Sequence, residues 1–102
     1  MSLSTHVLDT ARGRPAAGIT VRLAERTDTG WRETARGETD ADGRIGDWRP
    51  GAGVHRLVFE IADLHGDFYP EVVVVFRIAD AAAHYHVPLL ISPFGYTIYR
   101  GS

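Results

Sequence analysis

The chain has 102 residues, 44% of them hydrophobic, with a formal net charge of −2, which suits one domain with a modest core. That charge gives no basic footprint for nucleic acid, and the lack of any cysteine excludes disulfides and thiolate metal sites. No apolar run approaches a membrane span and the N-terminal stretch lacks signal-peptide character, so a soluble, cytoplasmic protein with no membrane partner is expected.

Residues 3–8 alternate apolar and polar and predict a first strand. Residues 9–18, with two glycines and Pro15, predict a loop. Residues 18–26 alternate cleanly, with Ile19, Val21 and Leu23 on one face, and predict a half-buried strand. A turn at 27–30 leads into a polar strand over 31–39. Asp40, Ala41, Asp42 and Gly43 form a turn by their chemistry, since aspartate bonds its own backbone and glycine accepts positive φ. They resemble the start of a calcium loop, but that loop needs a glutamate where Arg49 stands, so the metal reading fails. Arg44 follows the turn directly, a good place for a positioned cation, and Ile45 begins a short strand.

A loop with Pro50, Gly51 and Gly53 precedes a strand over 54–61. Residues 62–67 leave room for at most one helical turn, because short helices are marginal and Gly66 discourages extension. Residues 71–78 include four successive valines and are apolar on both faces, which suggests an edge strand that meets another subunit. Residues 84–91 form a strand interrupted by Pro88, which favours an edge or a bulge. Ser92, Pro93, Phe94 and Gly95 turn the chain, and residues 96–101 return antiparallel. Eight short strands with no sustained helical period predict an all-β, two-sheet sandwich over residues 1–102.

His84 and His86 share one strand face by the period of two, and imidazoles suit proton transfer near neutral pH. Two solvated surface histidines are the plain alternative. With His6 they would also make three nitrogen ligands for zinc. Tyr96, Ile98 and Tyr99 suit a final strand, which carries Arg100, Gly101 and Ser102 beyond it.

Four stretches together resemble the hydrolase branch of the transthyretin family. They are LSTHVLDT from Leu3, the Asp42-Gly43-Arg44 turn, FYPEV from Phe68, and HYHVPLLISPFGY from His84 running into Tyr99, Arg100, Gly101 and Ser102. The resemblance spans the chain, and the closing tetrapeptide is the mark of the enzyme as against the hormone carrier. It implies a sandwich of two four-stranded sheets, assembled as a homotetramer around a channel, that opens the ring of 5-hydroxyisourate without a cofactor. His6, Arg44, His86 and residues 99–102 match the functional positions. The family's short helix before Phe68 is curtailed here.

On that basis a histidine, His6 or His86, takes a proton from the attacking water, and Arg44 meets the oxyanion. Tyr99 and Arg100 contact substrate, and Ser102 holds a histidine or the water through its hydroxyl or carboxylate. By parity Thr97 and Tyr99 join the outward face of His6, Leu8, His86, Pro88 and Leu90, while Val87, Leu89, Ile91, Tyr96 and Ile98 fill the core. Gly101, without a side chain, allows backbone to approach substrate closely. A carrier without catalysis and a histidine-ligated metal hydrolase are the rival expectations.

Overall fold

The alternation at the start of the sequence becomes strand β1 (Ser2–Asp9) in a computed structural model that describes residues 2–102. Leu3, Thr5, Val7 and Asp9 are buried, and the residues between them are half-exposed. The chain continues through β2 (Arg14–Pro15), β3 (Thr20–Thr27), β4 (Gly30–Glu38), β5 (Arg44–Trp48), β6 (Gly53–Glu60), β7 (Glu71–Ile78), β8 (His84–Ser92) and β9 (Gly95–Ile98). The strand beyond the expected eight is β2, two residues that pair with Leu8 and Asp9. Pro15 makes that stretch read as loop, and its strand character comes only from the partner.

One sheet runs β4-β3-β6-β7 and is antiparallel throughout. The other runs β2-β1-β8-β9, with β5 also on β1, and its β1–β8 pairing is parallel. Buried Leu3, Val7, Val21, Leu23, Leu57, Phe59, Val72, Leu89 and Ile91 meet between the sheets. A one-residue register slip would turn each strand's apolar set outward, so this core fixes the pairings that position the site. β5 gains one residue on β1 between Ile45 and Trp48, and Asp47 there adopts a φ of 64°. The extra residue is accommodated as a bulge.

Among the described residues there is no helix, and none that is long and apolar enough to cross a membrane. The segment before Phe68 makes a single turn, closed by the Leu64 amide donating to the Ile61 carbonyl at 3.0 Å. β7 is an edge strand, with Val73 and Val75 about half exposed on its outer face at 47% and 50%.

Two expectations need correction. Pro88 is not on an edge, since β8 lies between β1 and β9. Its missing N–H is tolerated because the β8–β9 ladder stops at Leu89–Ile98 and resumes only as a bridge from His86 to Gly101. Tyr96 does not fill the core. It is 46% exposed and packs edge-on against Tyr69 at 5.1 Å, outside the core cluster, while Ile98 does pack on the core.

Candidate active site

Parallel pairing of β1 with β8 sets Ser2 opposite His84, Ser4 opposite His86 and His6 opposite Pro88. Thr5, on the buried face, locks this register by donating its hydroxyl to the Val87 carbonyl at 2.6 Å. On the outer face, Ser4 Oγ lies 2.8 Å from His86 Nδ1 and Ser2 Oγ lies 2.6 Å from His84 Nδ1. The two imidazoles stack with centroids 6.5 Å apart and planes 12° from parallel. That is the outcome of a His-x-His strand whose neighbour repeats a hydroxyl at the same period.

β5 brings Arg44 opposite His6 from the other side of β1. The turn before it is rigid. Asp40 Oδ1 accepts from the Asp42 and Arg44 amides at 2.9 and 3.0 Å, and the Gly43 amide donates to the Asp40 carbonyl at 2.9 Å. The turn is also tied to the histidine, since His6 Nε2 lies 2.8 Å from the Asp42 carbonyl. A carbonyl only accepts, so His6 Nε2 carries a proton and is engaged.

His86 therefore sits among Arg44, His6 and His84. Burial first, then the charge of Arg44, with His6 and His84 behind it, pushes the His86 ring below the ordinary imidazole range. A backbone hydrogen bond to Ser4 opposes them by favouring the charged ring. His86 is thus neutral near pH 7, with a lone pair to offer.

The segment after β9 also reaches this ring. The Gly101 amide donates to the His86 carbonyl at 2.7 Å. A Cβ on Gly101 would lie 2.7 Å from His86 Cδ2 and 3.4 Å from Cγ. The neighbour that requires a glycine at 101 is thus the imidazole of this same chain. Ser102 follows and is exposed.

Arg100 goes elsewhere. Its guanidinium lies 4.4 Å from the centroid of the Tyr85 ring, on the core side of β8, and with Tyr99 it borders an apolar groove at Val74, Phe76, Val87 and Ile98. The parity that would carry Tyr99 to the face of His86 does not extend to it, because β9 ends at Ile98. Within one chain, then, His6, Arg44, His84, His86 and Gly101 come together, and Tyr99 and Arg100 do not join them. Among the described residues no group of three or more His, Asp or Glu side chains is arranged to hold a metal ion.

Ser4 and the Asp42 carbonyl are the site groups that the sequence reading passed over. Ser2, Ser4 and His6 share the period of His84 and His86, and that match was the available signal.

Residues 3–101 match the HIUase/Transthyretin family. A 5-hydroxyisourate hydrolase of Caulobacter vibrioides is 40% identical over 112 aligned residues, spanning 98% of this chain and 97% of its own length. The structure of Klebsiella pneumoniae 5-hydroxyisourate hydrolase superposes with a TM-score of 0.86 at 34% identity, covering 99% of this chain and 98% of that one. Sparus aurata transthyretin superposes equally well, with a TM-score of 0.87 at 31% identity, covering 97% and 95%. With the motifs, the two-sheet topology and these matches along nearly its whole length, the chain belongs to the HIUase/transthyretin family.

Proposed function

We propose that this protein hydrolyses 5-hydroxyisourate, opening its six-membered ring in urate degradation, as a cytoplasmic homotetramer. The fold does not separate enzyme from carrier, because both kinds of relative superpose alike. The observation that carries the reading is the placement of His86, with Nδ1 on Ser4, beside His6 and Arg44. A carrier has no use for a base next to a fixed cation.

In this reading water adds to the ring carbonyl carbon as His86 Nε2 takes its proton. Arg44 faces the oxygen that becomes negative, through a planar fork of donors that also suits a flat substrate. As the tetrahedral carbon collapses, the carbon–nitrogen bond breaks, and the imidazolium returns its proton to the departing nitrogen. One water is consumed and a carboxylate and an N–H are produced, so no cofactor is required. His6, with Nε2 donated to Asp42, serves to orient substrate rather than to act as the base. Ser102 lies next to Gly101, in reach of substrate or water at the edge of the same site. Tyr99 and Arg100 belong to substrate contact only if another subunit brings their groove to a neighbouring site.

The direct test is the decay of freshly generated 5-hydroxyisourate, followed by absorbance with and without the protein and with a chelator present. Accelerated decay that survives chelation supports the reading. Binding without accelerated decay would make the protein a carrier, and activity lost on chelation and restored by zinc would make it a metal hydrolase.

Two further results are expected. Val73 and Val75 on an edge strand leave an apolar strip that association would cover. Light scattering at micromolar concentration should report a tetramer, and a monomer would remove that part of the proposal. Gly101→Ala should reduce turnover by about 10²-fold, because its Cβ must displace the His86 ring or the terminal segment, and misplacement of about 1 Å has that cost. Its melting temperature should hardly move, since no core side chain is touched. Full turnover in this variant would show that the ring has room to give.

A further inference from the structure

Ser4 stands against His86 in a way that bears on which ring nitrogen faces the reaction. Its Oγ is 2.8 Å from Nδ1, the contact is half-buried, and the two residues are direct partners in the parallel ladder. The contact is not a chance rotamer. The same pairing recurs one period away, where Ser2 Oγ meets His84 Nδ1 at 2.6 Å and the two rings run nearly parallel. The register behind it is fixed by buried Thr5 bonded to Val87. A seryl hydroxyl can donate or accept, so distance alone leaves two tautomers.

The hydrolase reading chooses between them. Nδ1 is the nitrogen engaged at Ser4, so the lone pair that takes a proton from water has to be on Nε2, and the proton of the neutral ring is then on Nδ1 with Ser4 Oγ as its acceptor.

We propose that Ser4 is a positioning residue for His86: it holds the proton on Nδ1 and so presents Nε2 as the bare nitrogen to the attacking water. The inference rests on the hydrolase reading, while the tautomer it names can be measured without substrate. Partners that orient a metal-bound histidine are typically worth 10–100-fold, and the orienting role here is of the same kind.

The experiment has two arms. Ring-nitrogen NMR on the free protein, above the pKa of His86, reads the tautomer without substrate. Wild type should show Nδ1 protonated and Nε2 bare. Ser4→Ala should show mixed tautomers, and Ser4→Thr, which keeps the hydroxyl, should restore the wild-type pattern. In steady-state assays Ser4→Ala should lose roughly 10–100-fold in kcat with little change in KM, and Ser4→Thr should recover most of it. A bare Nδ1 in wild type overturns the proposal. So does an alanine variant whose tautomer is unchanged, or whose kcat is unchanged when the tautomer has moved. If the alanine variant does not fold, the wild-type spectrum and the threonine variant still decide. A protein that leaves 5-hydroxyisourate intact would fail the assay while the spectrum still judged Ser4, so the two failures are distinguishable.

Discussion

Replacing His86 with glutamine should lower kcat by about 10²–10⁴-fold, the usual value of a positioned general base, with little change in melting temperature. Glutamine keeps a polar group near Ser4 and has about the right reach, but it has no basic nitrogen. His86 is half-buried on the outer face of its sheet, away from Val87 and Leu89, so the core is not disturbed. The pH dependence supplies a second reading of the same residue. Burial and the Arg44 charge hold the His86 pKa below 6.5. In the proposed reaction the neutral ring is the active form, so kcat/KM should be level around pH 7 and fall as pH drops through that lowered pKa. The sign is fixed, because protonation removes the lone pair that accepts the proton from water. In the glutamine variant the acid limb should vanish from the residual rate. Steady-state profiles from about pH 5 to 8 cover the range. A variant that kept both rate and limb would transfer the role of base to His6.

The second large effect should come from Gly43→Ala, this time on stability as well as activity. Gly43 has a φ of 75°, and a Cβ there would lie 2.5 Å from the Val7 carbonyl oxygen and 3.0 Å from Pro15 Cβ. The left-handed conformation alone costs an alanine about 1–2 kcal/mol. The clash is with backbone of β1, which also donates its Val7 amide to the Gly43 carbonyl at 2.8 Å. Relief requires the turn to part from β1, so a total loss of roughly 2–4 kcal/mol is expected, counting the strained hydrogen bond. For a domain of this size that is a fall of about 10–25 °C in Tm. Arg44 is the next residue and would move with the turn, so turnover should fall too. Gly13→Ala is the control, because its φ is 70° but nothing lies within 4 Å of the added Cβ. Calorimetry should give the control a much smaller shift. Equal losses in the two variants would sink the argument from the clash.

Most strands were legible because their alternation is local. The inward Val21 and Leu23, the Asp40 to Gly43 turn and the lone turn before Phe68 needed no knowledge of partners. Pro88 was read as marking an edge or a bulge and lies on neither, because its place inside the sheet depends on where β1 and β9 go. Tyr96 has core parity, yet parity does not say how far a facing sheet extends. The site was legible in its residue types and only partly in its arrangement. His6, Arg44 and His86 converge. The tautomer of His6 depends on a carbonyl, and carbonyls carry no signature in sequence. Ser4 was hidden for a related reason, since its partner is set by a parallel pairing that no turn announces.

That parallel pairing also sets when the protein becomes able to work. Ser4 and His86 are 82 residues apart, and no hairpin can bring them together. Closing a loop of that length costs roughly 4 kcal/mol in chain entropy, which nothing local repays. The β3–β4 and β6–β7 pairs join neighbours in sequence and can form early. A nascent chain that has emerged as far as β7 already holds His6 and Arg44, but β1 lacks the strand that supplies His86 and gives Ser4 its partner. Catalytic competence therefore cannot precede the closure of β1 on β8, and regain of activity during refolding sets a latest time for that step.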